Sequence, residues 1–235
     1  MEKWLNESLN QTYTRVKVLK RTEKSEISVW IHNELQQKIV KRVFKGEKSV
    51  YQTLLTLQHP NLPRIYQMFE EQGKVTVLEE YIDGVTVAEV LETGLYSQNG
   101  VRKVGAALCD ALTILHANGI VHRDIKPENI MITRENRIVL IDFDAARTFK
   151  QGKAKDTVAL GTAGYAAPEQ FDISQSDCRT DIYAMGILMN VMLTGEHPSK
   201  SAVKGHMGRV IRKCINVLPS KRYANAKALK RAILY

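Results

Sequence analysis

The order of patterns along this 235-residue chain predicts an α+β fold in two unequal lobes, a small β-rich one followed by a larger, mostly helical one. Three observations lead there. Up to about residue 80, short runs rich in β-branched residues are separated by turn residues. Beyond about residue 85, apolar residues recur at helical spacing instead. Between the helical stretches lies the polar loop His122-Arg123-Asp124-Ile125-Lys126-Pro127-Glu128-Asn129, and the apolar run Arg137-Ile138-Val139-Leu140-Ile141 follows it, reading as a buried strand that delivers Asp142-Phe143-Asp144.

Trp4, Leu5, Ser8 and Leu9 are spaced for a short amphipathic turn that packs on the small lobe. Strand-like runs follow at Thr14–Leu19, Glu26–Asn33 and Gln37–Phe44. A short helix fits Lys48–Gln58, apolar at Val50, Leu54 and Leu57, and two more strands fit Arg64–Glu70 and Val75–Glu80. In the large lobe, Val101, Val104, Leu108, Leu112 and Leu115 make one helical stripe, with Gly119 expected as its C-cap. A second helix fits Thr180–Thr194 and closes at Gly195. The last two fit Met207–Val217 and Asn225–Leu234.

The motifs come in a meaningful order. The loop reads HRDIKPEN, and further on Gly161-Thr162-Ala163-Gly164-Tyr165-Ala166-Ala167-Pro168-Glu169 contains an APE tripeptide. Asp181-Ile182-Tyr183-Ala184-Met185-Gly186 opens a helix, and Arg222 lies near the C-terminus. On these residues the chain resembles the eukaryotic-like (Hanks-type) Ser/Thr protein kinases, in a form most like those of bacteria. The resemblance runs from about Tyr13 to the end and is carried mainly by the second half. It implies an N-terminal extension over residues 1–12 and a kinase domain over 13–235, with a small lobe over about 13–80, a hinge over about 80–84, a large lobe over about 85–235 and an ATP cleft between the lobes.

The roles that follow are those the resemblance implies. Asp124 is the base that takes a proton from the substrate hydroxyl. Lys126 meets the γ-phosphate, and its presence is the Ser/Thr rather than the Tyr form of the loop. Asn129 and Asp142 supply hard oxygen ligands for Mg2+, with Mn2+ as the alternative ion. Thr162 bridges the base and the lysine. Lys41, in Lys38-Ile39-Val40-Lys41, imitates the V-A-I-K whose lysine holds the α- and β-phosphates of ATP; Lys38 and Arg42 are rivals for that role. The glutamate partner of that lysine falls on Val50 when counted back from His59-Pro60-Asn61. Glu47, one helical turn earlier, takes the role if the helix shifts, or else stabilises the helix N-terminus. Glu80-Tyr81-Ile82-Asp83-Gly84 matches the hinge, where backbone groups of Glu80 and Ile82 read the adenine edge. Arg123 marks a kinase whose activation segment is controlled by phosphorylation, with Thr157, Thr148 and Thr162 as acceptors. Glu169 and Arg222 are expected to form a structural ion pair.

Several positions depart from the family pattern. In Leu19-Lys20-Arg21-Thr22-Glu23-Lys24-Ser25-Glu26-Ile27, the three glycines of the phosphate-covering loop are replaced by Lys20, Thr22 and Ser25. Lys20, Arg21 and Lys24 are expected to compensate as point charges, and Lys20 and Ser25 remain candidates at the nucleotide. Asp144 replaces the glycine of D-F-G. Glu79, just before the hinge, puts a charge where the family keeps an apolar residue, and Lys41 is its expected partner. The segment after Pro198 is short.

Bulk properties narrow the function classes. The net charge of +9 suits a phosphate-rich ligand, but the cations are scattered without interleaved aromatics, so no nucleic-acid partner is expected. Cys109, Cys178 and Cys214 lack metal-ligand spacing and read as free thiols in a reducing compartment. No apolar run approaches the roughly 20 residues that cross a bilayer, and no leader pattern opens the chain; cytoplasmic placement is the expectation, with an anchor beyond Tyr235 left open. The leading reading is an ATP-dependent kinase acting on protein Ser/Thr hydroxyls, with self-association for autophosphorylation. A pseudokinase that binds nucleotide or partners without turnover is the alternative. A small-molecule phosphotransferase is disfavoured by Lys126-Pro127 and Ala167-Pro168-Glu169.

Overall fold

The computed structural model describes residues 9–148, 164–170 and 177–235. Trp4, Leu5, Ser8, Thr157 and Thr162 therefore lie outside the described residues. The chain divides into two units: residues up to His59 with Pro63–Ile82, and Pro60–Leu62 with the chain from Asp83 onward.

The first unit is built on a five-stranded antiparallel sheet. Its strands are Tyr13–Arg21 (β1), Ser25–His32 (β2), Lys38–Phe44 (β3), Ile65–Glu71 (β4) and Lys74–Glu80 (β5), in the order β1-β2-β3-β5-β4. Because successive strand residues point to opposite faces, the pairing register sorts the side chains into two sets. Val40, Arg42 and Phe44 of β3 stand opposite Glu79, Val77 and Val75 of β5. This face carries the helix Ser49–Leu54 (α1), whose Val50, Tyr51 and Leu54 are buried and whose Tyr51 ring meets Phe44. The other set includes Ile39, Lys41, Leu78 and Trp30. Leu9, at the start of the helical residues 9–12, packs there with Ile39, Phe69 and Leu78, as the spacing of the N-terminal apolar residues predicts for this position.

Helix α1 is shorter than the expected Lys48–Gln58. Past Leu54 the backbone tightens into i→i+3 bonds, Thr56 N–H to the Thr53 carbonyl and Leu57 N–H to Leu54, and the Thr56 hydroxyl also donates to Thr53 O at 2.8 Å. A hydroxyl that bonds back to the chain competes with the helix ladder and ends it early.

The second unit holds Gly84–Thr86 (β6), Val87–Thr93 (α2), Gln98–Ala117 (α3), Ile120–Val121 (β7), Ile130–Thr133 (β8), Ile138–Leu140 (β9), Arg147–Thr148 (β10), Cys178–Thr194 (α4), Gly205–Cys214 (α5) and Ala226–Leu234 (α6). The predicted stripe of α3 is buried along its whole length. Thr86 and Glu89 close a reciprocal capping box at the start of α2. Gly195 ends α4 in the left-handed region at φ 73°, which fits its predicted role. Asn225 lies just before α6 as its N-cap, accepting the Ala228 N–H at 2.9 Å. Gly84 is required for a different reason: a Cβ there would stand 2.3 Å from the Ile132 carbonyl oxygen, so only glycine lets β6 pair with β8. Cys109 and Cys214 are fully buried, all three cysteines are free, and burial pushes the Cys109 thiol up to about 12. Among the described residues no helix is long and apolar enough to cross a membrane.

Candidate active site

Within the second unit, the HRDIKPEN residues form a loop between β7 and β8, closed at its far end by a single 3-10 turn at Pro127–Asn129. Proline suits the first position of that turn because its missing N–H has no partner to lose there. The Asp124 carboxylate is gripped from two sides. Lys126 Nζ lies 2.8 Å from Asp124 Oδ2, and Asn129 Nδ2 donates to the same oxygen at 2.9 Å and to the Asp124 carbonyl at 2.8 Å. The side-chain nitrogen of Asn129 thus faces Asp124, and its remaining polar atom is an amide oxygen, a hard donor of the kind a divalent magnesium ion takes. The Asn129 carbonyl accepts the Ile141 N–H at 2.9 Å, which ties the loop to the start of Asp142-Phe143-Asp144. Arg123 and Asp142 both sit at positive φ, 68° and 64°. Non-glycine residues in that region mark backbone held by its surroundings. In the Asp142-Phe143-Asp144 stretch the left-handed residue is Asp142, not Asp144, and the Asp144 N–H approaches Asp142 Oδ1 at 3.4 Å.

What holds the loop is Asp181, at the start of α4 and fully buried. Its carboxylate accepts the backbone N–H of His122 at 3.0 Å and of Arg123 at 2.8 Å, and lies 2.8 Å from His116 Nε2. Burial alone would raise the Asp181 pKa; the His116 contact first, with the Arg123 amide, more than reverses this and holds it below the ordinary aspartate value. The His122 ring packs edge-on to Phe143 and its Nε2 lies 3.2 Å from the Ile141 carbonyl; complete burial holds its pKa below the ordinary histidine value. Sequence reasoning saw Asp181 only as the opening of a helix. The available signal was a lone carboxylate heading a run that is otherwise almost wholly apolar, since buried aspartates are rare without such partners.

The expected pair of Glu169 and Arg222 forms bidentately at 2.6 and 2.8 Å. Arg222 also donates to the carbonyls of Arg179, Asn216 and Val217, so the pair clamps the APE segment to α4 and to the turn before α6. Gln170 adds a second clasp, donating to the Arg123 carbonyl at 3.1 Å while accepting the Ala167 N–H at 2.9 Å.

In the first unit the candidates are less orderly. Lys41 lies on the sheet face opposite Glu79 and α1, with Nζ 4.8 Å above the Trp30 ring. Its burial there lowers the ammonium pKa, with Glu26 pulling the other way. The cation that meets Glu79 is Arg42. Its Nη2 lies 3.4 Å from Glu79 Oε1, both side chains are almost fully buried (4% and 8% exposed), and the guanidinium stands 5.8 Å from the centre of the Tyr51 ring. The expected pairing of Glu79 with Lys41 is therefore corrected by the pleat: adjacent residues of one strand cannot share a face. Lys38 is exposed at the strand's start, beside the Tyr81 ring. Glu47 precedes α1 and accepts the Ser49 N–H at 3.1 Å, the N-terminal role of the two open to it. At the hinge, Glu80 is anchored by Arg64 in both directions, N–H to carbonyl at 2.8 Å and carboxylate from N–H at 3.0 Å, while Ile82 is buried.

The loop that replaces the glycines is a tight hairpin closed on itself. The Thr22 N–H donates to the Ser25 carbonyl at 2.8 Å, and Thr22 Oγ1 accepts the N–H groups of Ser25 at 3.0 Å and Lys24 at 3.3 Å. Residues 20–25 hold no positive φ, so nothing in this hairpin calls for glycine. Three amides of the turn, those of Thr22, Lys24 and Ser25, are thereby occupied within the loop.

A protein kinase domain model matches residues 9–233. The chain is 30% identical to Serine/threonine-protein kinase D of Synechocystis over 92% of its length, 32% identical to Serine/threonine-protein kinase PknB of Mycobacterium tuberculosis over 72%, and 31% identical to Serine/threonine-protein kinase PknA of Nostoc over 87%. The alignments span 46%, 29% and 37% of those longer proteins, so the chain covers less than half of each.

Proposed function

Because the chain belongs to the protein kinase family, as a Hanks-type Ser/Thr kinase catalytic domain of bacterial kind, we propose that it transfers the γ-phosphoryl group of ATP to Ser/Thr hydroxyls of protein substrates. The observation that carries this reading is the Asp124 carboxylate held by both Lys126 and Asn129 on a loop tied down by Asp181. Asp124 orients the acceptor hydroxyl and takes its proton late in transfer. Lys126, 2.8 Å away, neutralises charge that builds on the transferred group. Asn129 and Asp142 are the oxygen ligands for the divalent ion, Mg2+ by preference and Mn2+ by substitution. When bound, that ion would supply positive charge to neutralise the phosphates. Thr162 joins Asp124 and Lys126 in this scheme, Glu80 and Ile82 present hinge backbone to the adenine, and Lys20 lies near the phosphates. Protein substrates with Ser/Thr acceptors, including a second copy of the chain, are the partners; no nucleic acid is involved.

The test is phosphate transfer from labelled ATP, to the chain itself and to a generic basic acceptor protein, with Asp124→Ala alongside. Transfer is expected in the wild type and should fall about 10²–10⁴-fold in the variant, with nucleotide still bound. Wild-type binding without transfer would leave a pseudokinase; undiminished transfer by Asp124→Ala would overturn the assignment of the base.

A further inference from the structure

Resting on the kinase reading above, the geometry points to a relocated ion pair: we propose that Arg42, not Lys41, is the β3 cation that binds the α- and β-phosphates of ATP, and that Glu79 of β5 positions it in place of a carboxylate from α1.

The argument begins with the pleat. A phosphate-binding cation supported by the small-lobe helix must lie on the helix-bearing face of the sheet. Val40, Arg42 and Phe44 occupy that face, and Lys41 occupies the other, over Trp30 and beside the patch that Leu9 covers. The helix itself offers no carboxylate. Residues Ser49–Leu54 contain none, Val50 stands at the counted position, and Glu47 caps the N-terminus from outside. Across the strands, however, Glu79 reaches Arg42 at 3.4 Å with both side chains almost fully buried. A charge at the position before the hinge, anomalous by itself, is explained once the cation beside it is Arg42.

The chemistry fits phosphate. Guanidinium stays charged when desolvated and presents a planar fork to phosphate oxygens, whereas a buried lysine readily loses its proton. An isolated buried arginine is costly, so a carboxylate partner is needed to hold it in place without ligand. The hairpin adds a reason for a strong cation here, because the Lys24 and Ser25 amides are bonded to Thr22 Oγ1 rather than presented to a ligand. Fewer backbone donors leave more of the phosphate charge to side chains.

The test is displacement of a fluorescent ATP analogue by Mg-ATP and, separately, by adenosine, which lacks phosphates. Removing only one member of the pair would strand a buried charge, so the informative variant is Arg42→Met/Glu79→Met, an apolar replacement of the kind buried ion pairs often tolerate. The ratio of Mg-ATP to adenosine affinity is expected to fall about tenfold or more in this variant, a loss the size of one charge-assisted contact, and to fall less in Lys41→Met. Glu79→Gln, which keeps the shape and removes the charge, is expected to lower the same ratio by a smaller factor, while a merely structural role for Glu79 would shift ATP and adenosine together. An unchanged ratio in the double variant, or a larger fall in Lys41→Met, overturns the assignment. Should the wild type bind Mg-ATP yet transfer no phosphate, the kinase reading fails, and the affinity ratio still decides between Arg42 and Lys41.

Discussion

The catalytic loop and the nucleotide-loop hairpin of this protein obey different rules. In the loop and its anchor on α4, Asp124, Lys126, Asn129, His122 and Asp181 all match the kinase pattern, and each is bonded to another member or to the loop backbone. In the hairpin and β3, all three glycines are gone, the preferred lysine faces the wrong side of the sheet for α1, and a buried Arg42–Glu79 pair stands near the hinge. The difference teaches that the two tasks tolerate substitution unequally. Accepting a proton from an oriented hydroxyl needs one carboxylate in one place, and a buried network makes every identity in it interdependent. Holding phosphates needs positive charge at short range, which several residues can supply from more than one strand position.

The sharpest way to break this contrast is Asp181→Ala. It strips acceptors from two buried backbone N–H groups and from His116, and should cost roughly 3–5 kcal/mol, the range for breaking a buried charged network. Urea unfolding checks it: a lower midpoint with unchanged slope is expected, and a loss under roughly 1 kcal/mol would mean that the loop does not depend on this anchor.

Acid provides a second, smaller probe of the same half. His122 is buried neutral with its pKa held below 6.5, so the unfolded chain binds the proton that the folded chain excludes. Stability is then expected to fall as pH drops below 6.5, by up to roughly 1.4 kcal/mol per unit for one such proton, until the folded-state value is reached. Glu169 and Asp181, whose pKa values are lowered, contribute stability present above their unfolded values near 4.5 and 3.8, and lost as pH falls through their folded ones. Thermal midpoints between pH 8 and 2 should therefore decline in two stages, the first below 6.5 and the second below about 4.5. A flat profile down to pH 5 would show His122 to be protonated in the fold.

The smallest effect is expected in the hairpin. Thr22→Ala removes side-chain acceptance of two turn amides and should cost only about 0.5–1.5 kcal/mol, the net worth of an exposed turn bond. Because it releases the Lys24 and Ser25 amides, Mg-ATP affinity should hold or rise. A fall in affinity would show that Thr22 contributes to the phosphate site directly and would erase the contrast between the two regions.

Much of the fold was legible in the sequence because its signals are local. The strand-like runs, the α3 stripe, Gly195 as the close of α4 and a last helix near Asn225–Leu234 each depend on a few neighbouring residues, and the structure carries them within a residue or two of the predicted places. The motif order from HRDIKPEN to Arg222 was equally legible, including the Glu169–Arg222 pair, since the charges were named by position and only their meeting remained to be seen. Other facts depended on contacts distant in sequence. Lys38, Lys41 and Arg42 are three cations within one short strand, and a pattern read at one-residue precision cannot tell which face each takes; the pairing of β3 with β2 and β5 decides it. Glu79 finds Arg42, 37 residues earlier in the chain, and Asp181 finds His122 and Arg123 across 59 and 58 residues. Burial is what gives these meetings their weight, because a charge taken from water must find its partner wherever the fold has brought one.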